Sequence, residues 1–193
     1  MTASPDETCL ASSTTIDWEG PTVGARAREE AAGQVSISIH VSSQRLVLCD
    51  SEERLLLECS VSTARRGVGE QHGSEQTPRG LHTIRAMIGA SVPAGGIFVG
   101  RRFTGEVLTP ESRTLHPDKD WVLTRILWLG GLEPGRNRFG LVDTFSRYIY
   151  LHGCPDDCSM GVPLSHGCIR MRNGDIVDLF GRVRAGTRVV IHE

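Results

Sequence analysis

The sequence predicts a mainly β domain with a sandwich or barrel-like core and one or two short helices. Three observations carry this. Val35, Ile37, Ile39 and Val41 alternate with Ser36, Ser38 and His40, the period of a strand with one buried face. Similar segments recur at short intervals towards the C-terminus, separated by turn clusters rich in Gly and Pro. One segment alone repeats its apolar residues clearly at helical spacing. A chain of 193 residues suits a single domain with its own core.

In chain order, residues 1–33 are rich in Ser, Thr, Ala, Glu and Gly, with Leu10, Ile16, Trp18 and Val23 as their substantial apolar side chains. They read as a flexible N-terminal arm before a domain over residues 34–193. Leu46 and Leu48, then Asp50-Ser51-Glu52-Glu53, then Leu55, Leu57, Cys59 and Val61 on one face, predict a hairpin. Thr77-Pro78-Arg79-Gly80 is a turn leading into a strand over Leu81–Ile88. Further strands are expected over Gly96–Val99, Trp121–Leu129, Arg147–Leu151 and Thr187–His192, with Glu133-Pro134-Gly135-Arg136-Asn137 as a turn. The helix starts at Asn173 as cap, carries Asp175 in its first turn and Ile176, Leu179, Phe180 and Val183 on its inner face, and ends before Gly186.

A net charge of −2 gives no electrostatic footprint for nucleic acid, and no apolar run is long enough for membrane insertion. Of 21 basic residues only Lys119 is a lysine. The arginine fork suits carboxylates, although codon bias in the source genome accounts for the skew more simply. The first 34 residues contain no basic cluster followed by an apolar stretch, so a cytoplasmic location is expected, with a periplasmic one as the alternative. Six cysteines spread over this length read as free thiols, with Cys49 and Cys59 as small buried residues.

The chemistry gathers near the C-terminus. The strand Arg147–Leu151 is expected to deliver His152 at its end, followed by Gly153, and a loop then leads to Ser165-His166-Gly167-Cys168. A thiol is little ionised at neutral pH, so an imidazole that takes its proton makes attack competent, with Cys168 as nucleophile and His152 as base. Gly167 permits a tight turn, and the Gly167 and Cys168 amides are candidates for an oxyanion hole.

His152-Gly153 followed by Ser165-His166-Gly167-Cys168-Ile169-Arg170 resembles the signature of the L,D-transpeptidase catalytic domain, also called the YkuD domain. Thr77-Pro78-Arg79-Gly80-Leu81-His82-Thr83-Ile84 is similar to that family's Thr-Pro-x-Gly turn, and the likeness spans roughly residues 35–192. It implies a β-sandwich-like enzyme acting on peptidoglycan stem peptides or muropeptides. The cysteine attacks the carbonyl of the L-centre of diaminopimelate in a tetrapeptide stem and expels D-alanine, and an amine or water resolves the thioester. Carbapenems are implied as covalent inhibitors, and no cofactor or metal is required.

Within that motif His166 is the rival base. Arg170 holds a stem carboxylate or pins the loop. Ser165 braces the turn or contacts substrate. Gly153 has no side chain to orient His152, so a backbone carbonyl must do so. Cys154 and Cys158 depart from the motif. With His152, His166 and Cys168 they make a set of soft ligands, but metal capture would silence the nucleophile, so no zinc site is expected. A redox role, with one of them bridging to Cys168, is the other reading. The polar N-terminus favours an L,D-carboxypeptidase of muropeptide recycling. The alternatives are a periplasmic L,D-transpeptidase forming 3-3 cross-links and a catalytically silent module that binds peptidoglycan fragments.

Overall fold

The computed structural model describes residues 34–193, so the expected arm over residues 1–33 lies outside the described residues. The strands are β1 (Ser36–His40), β2 (Arg45–Cys49), β3 (Leu55–Ser60), β4 (Gly80–Ile88), β5 (Gly96–Val99), β6 (Arg102–Val107), β7 (Val122–Gly131), β8 (Tyr150–Gly153), β9 (Ile169–Met171) and β10 (Arg188–His192). The helices are α1 (Pro110–Leu115) and α2 (Asn173–Arg182), with a short 3-10 turn over Gly140–Val142. The sheet runs β3-β2-β1-β10-β4-β7-β5-β6 and curls into a half-barrel, as the mainly β reading expects. No helix among the described residues is long and apolar enough to cross a membrane.

The alternation read in the sequence becomes the inner face of this sheet. Ile37 and Ile39 of β1 and Leu46 and Leu48 of β2 are fully buried, and β1 pairs in parallel with β10, Ile37 opposite Val189 and Ile39 opposite Ile191. Helix α2 buries Ile176 and Leu179 in the same core, each such side chain contributing roughly 1.5–3 kcal/mol. That packing places the start of α2 beside the end of β8.

Strand β7 has three partners. Its C-terminal part pairs with β4 and its first residues with β5, while β8 pairs along Leu123–Trp128 with a register shift between Leu123 and Ile126. The shift falls at Thr124, whose φ of +68° is a strained value for a β-branched residue. Its hydroxyl accepts from the Gly95 amide at 2.8 Å and donates to Asn173 Oδ1.

Several expectations need correction. The strand expected over Arg147–Leu151 is β8, Tyr150–Gly153, so His152 lies inside a strand. The preceding residues form turns because Arg147 points inward to the Gly69 and Gln76 carbonyls at 3.0 and 2.6 Å, and Tyr148 has φ +58°. Asn173 does not cap α2. Arg172 is the N-cap residue, and the Asn173 side chain serves the Cys154 carbonyl and Asp156 instead. Leu55 is largely exposed because β3 is the outer strand, and Cys49 is half-buried while Cys59 is buried. Strand β6 escapes the alternation test because every residue in it is exposed. Helix α1 carried an unused signal, Thr109 as cap before Pro110 and Glu111.

Candidate active site

The turn before Cys168 is held from three sides. Ser165 is buried, its amide donates to the Thr63 carbonyl at 2.9 Å, and its carbonyl accepts from the Arg65 amide at 3.0 Å. Its hydroxyl donates to the Cys168 carbonyl at 2.5 Å and accepts from the Gly167 amide at 3.2 Å. Ser165 therefore braces the turn. Gly167 adopts φ +128°, and a Cβ there would stand 3.2 Å from Ile149 Cδ1, so the position suits glycine on both counts. The Thr77 hydroxyl donates to the Gly167 carbonyl at 3.0 Å, which ties the upstream Thr-Pro-x-Gly turn to this one.

Strands β8 and β9 run in parallel with Leu151 opposite Ile169 and His152 opposite Arg170, which sets Cys168 just ahead of the paired stretch. The Cys168 sulfur accepts from the Tyr150 amide and donates to the Tyr148 carbonyl, both at 3.4 Å. It packs against the apolar cluster of Val92, Phe98, Ile126 and Tyr150, and burial pushes its thiol up to about 12. His152 is buried, and burial lowers its pKa. Its Nδ1 lies 2.9 Å from the Gly153 carbonyl, the backbone acceptor that the sequence left unidentified. A carbonyl only accepts, so Nδ1 carries the proton and Nε2 is the basic nitrogen. Both shifts favour a neutral thiol and a neutral imidazole at rest, and the sulfur is hydrogen-bonded to backbone, not to the imidazole.

Gly153 has no room for a side chain, since a Cβ would meet Asn173 Oδ1 at 2.6 Å and the Leu123 carbonyl at 2.8 Å. Of the two amides expected in the oxyanion hole, that of Gly167 is already donated to Ser165.

Sequence reasoning missed Asp120. Its Oδ1 holds Arg170 Nη2 at 2.8 Å and its Oδ2 lies 3.0 Å from His166 Nδ1. Burial works to raise this carboxyl, yet the bonds from His166 and Arg170 leave it lowered. Arg170 thus pins the loop to Asp120, while its buried Nε has no partner among the described residues. The Asp120 charge also acts on His152 in favour of the protonated imidazole. Nothing in the run Asp118-Lys119-Asp120 distinguishes this residue in the sequence. A second missed group is Arg101, which stacks over Trp128 at 4.7 Å and Tyr148 at 4.9 Å and donates to the Tyr150 hydroxyl at 3.2 Å.

Cys154 follows β8, and Cys158 closes a turn onto the Pro155 carbonyl. The described residues contain no group of three or more His, Cys, Asp or Glu side chains placed to hold a metal. The arrangement offers a thiol and a buried imidazole with a free Nε2, parts that acyl transfer uses.

Comparison with known proteins bears on family and fold. The family model described as the L,D-transpeptidase catalytic domain, YkuD, matches residues 34–191. The probable L,D-transpeptidase YbiS of Escherichia coli K12 is 43% identical over 54 residues, 28% of this chain and 18% of that protein. The putative L,D-transpeptidase YkuD of Bacillus subtilis is 45% identical over 42 residues, 22% of this chain and 26% of that protein. These matches span about a quarter or less of the relatives' own length. Among solved structures, Bdellovibrio bacteriovorus Bd1075 shares the fold with a TM-score of 0.51 at 16% identity, over 84% of this chain and 49% of that one. With nearly all of the described residues matched, the chain belongs to the YkuD family of L,D-transpeptidase catalytic domains.

Proposed function

We propose that the protein is a cysteine-dependent acyl-transfer enzyme that cleaves the bond between the L-centre of diaminopimelate and D-alanine in peptidoglycan tetrapeptide stems, with water as acceptor. The observation that carries the acyl transfer is His152, buried, with Nδ1 tied to the Gly153 carbonyl at 2.9 Å and so able to use only Nε2 as a base. Cys168 attacks the carbonyl as its proton passes to His152. The Cys168 amide receives the oxyanion, because the Gly167 amide is engaged. The intermediate collapses, D-alanine leaves with the proton from His152, and a thioester remains. His152 then takes a proton from water, which hydrolyses the thioester and restores the thiol.

Charge supports water over an amine. The cavity of about 190 Å³ beside His166 is lined by the cations Arg65, Arg113, Lys119 and Arg170, against the carboxylates of Asp118 and Asp120. Arg170 and Arg113 are already paired with Asp120 and Asp157, so Arg65 and Lys119 against Asp118 leave a slight cationic excess that favours stem carboxylates over an acceptor bearing an ammonium group. The product is then a tripeptide, the outcome of an L,D-carboxypeptidase.

The test is incubation with a free tetrapeptide stem. Wild type is expected to release D-alanine and tripeptide, Cys168→Ala none, and His152→Ala far less. Dimer as the sole product would replace water by an amine acceptor. No product, together with no carbapenem adduct in the intact mass, would leave a binding module in place of an enzyme.

A further inference from the structure

Cys154 and Cys158 have no part in the acyl transfer, yet the fold holds them together. The Cys154 amide and thiol both donate to the Met171 carbonyl, at 3.1 and 3.4 Å. The Cys158 amide donates to the Pro155 carbonyl at 3.0 Å, which folds the chain back and leaves the two thiols close enough to perturb each other. The turn is strapped from outside. Asn173 Nδ2 reaches the Cys154 carbonyl and Asp156 Oδ1, both at 3.1 Å, Arg172 reaches the Asp156 carbonyl at 3.0 Å, and Arg113 pairs with Asp157 at 3.1 Å. A disulfide tolerates a narrow range of Cα and Cβ separations, so a turn already held closed loses little freedom on bridging. Both cysteines line the cavity that carries Arg65, Arg113 and Lys119, and Cys158 is half-buried.

We propose that Cys154 and Cys158 form a peroxide-oxidisable dithiol site that closes to an intramolecular disulfide and leaves Cys168 as a free thiol. The Cys158 thiolate attacks one oxygen of hydrogen peroxide, the O–O bond breaks, and the departing hydroxide is protonated to water. Cys158 is then a sulfenic acid. The Cys154 sulfur attacks the Cys158 sulfur, the S–O bond breaks, and hydroxide leaves with the Cys154 proton as a second water. Two thiols supply two electrons, and one peroxide becomes two waters.

Position and charge separate this pair from Cys168. Cys168 precedes the Leu151–Ile169 pairing and Cys154 follows the Gly153–Met171 pairing, at opposite ends of the β8–β9 ladder. Four residues of strand at ~3.3 Å each amount to roughly 13 Å, beyond the ~7 Å that a bridge tolerates. This geometry removes a Cys154–Cys168 bridge. The neighbouring Cys154 thiol lowers the pKa of the Cys158 thiol against the effect of burial, whereas burial pushes Cys168 up to about 12. Cys158, half-buried on the cavity, is therefore more readily ionised than Cys168, and peroxide reacts there first.

The site does not depend on the acyl-transfer reading, since an inactive chain would still close the bridge. The experiment treats the reduced full chain with a small excess of hydrogen peroxide, removes the peroxide, unfolds the chain in N-ethylmaleimide and locates each thiol by fragment-ion mass. The expected result is a Cys154–Cys158 bridge with Cys168 alkylated. Cys154→Ser is expected to leave a Cys158 sulfenic acid that dimedone traps. A bridge containing Cys168, oxidation of Cys168 with Cys154 and Cys158 both alkylated, or three alkylated thiols would each overturn the proposal. The wild-type chain alone separates these outcomes, so a variant that fails to fold does not shelter the proposal.

Discussion

Thr77 donates its hydroxyl to the carbonyl of Gly167 at 3.0 Å, a contact between residues ninety positions apart. The same hydroxyl accepts from the Ala64 amide at 3.0 Å, so one buried side chain ties the upstream turn, the neighbouring backbone and the nucleophile's turn together. Thr77→Val keeps the shape and removes both bonds. A buried group left unpaired costs about 1–3 kcal/mol, so urea unfolding is expected to show a loss of that order. Turnover of a tetrapeptide stem is expected to fall more than KM rises, because the displaced part is the nucleophile. Unchanged stability and kinetics would show that the Gly167 turn holds its form without Thr77.

Gly153→Ala tests the other side of the site. The added methyl would meet the Leu123 carbonyl and the Asn173 side chain, and the carbonyl belongs to strand backbone that cannot swing away. Overpacking of this kind costs typically about 1–3 kcal/mol. Because the Gly153 carbonyl orients His152, activity is expected to drop along with Tm. A variant with wild-type Tm and activity would mean that β8 absorbs the methyl.

The pH profile follows from the two neutral groups. Burial lowers His152, with the Asp120 charge and the Gly153 carbonyl pulling the other way, and burial raises Cys168 to about 12. The competent form has His152 neutral. As pH falls through its pKa, which lies below the ordinary ~6.5, the base is lost and kcat/KM declines. The expected profile has an acid limb below pH ~6.5 and no alkaline limb in the neutral range. A bell centred near neutrality would instead indicate a thiolate–imidazolium pair at rest.

The sequence made the strands with buried faces legible, because a one-sided core writes a period of two into residues such as Ile37 and Ile39. Cys168 and His152 stood out through the family motif that they resemble, and Gly153 and Gly167 occupy close or left-handed backbone positions that demand glycine. Strand β6 was invisible for the opposite reason, having no buried face to alternate. Asp120 was invisible because its role depends on which segments the fold brings to it, and its neighbours Asp118 and Lys119 look no different. Asn173 was misread because a residue type that often caps helices also makes good bonds from the first helical position.

His82, in the strand entered from the Thr-Pro-x-Gly turn, gives a stability prediction. It is buried, with Nδ1 2.9 Å from the Gly80 carbonyl and Nε2 3.1 Å from the Thr144 hydroxyl, and burial lowers its pKa to about 4. In the unfolded chain the value is ~6.5, so below that pH the unfolded state binds the proton first. The stabilisation is present above pH ~6.5 and is lost as pH falls towards about 4, up to about 3 kcal/mol from this residue. His82→Gln is expected to flatten the dependence of unfolding free energy on pH across that window. An equally steep dependence in the variant would assign the loss to other groups.

Asp120 is a positioning residue whose electrostatic role can be separated from its structural one. It binds Arg170 at 2.8 Å and His166 at 3.0 Å, and its charge raises the His152 pKa against burial. Asp120→Asn keeps the size and removes the charge. With that charge gone His152 is harder to protonate, so the acid limb of kcat/KM is expected to move to lower pH. Loosening Arg170 and His166 beside the nucleophile is expected to lower kcat by on the order of 10- to 100-fold, the usual cost of a small misplacement. Asp120→Glu restores the charge but reaches further, so it should return the limb towards its wild-type position while recovering less of kcat. A limb that stays in place in Asp120→Asn would show that Asp120 holds Arg170 and His166 without acting on His152.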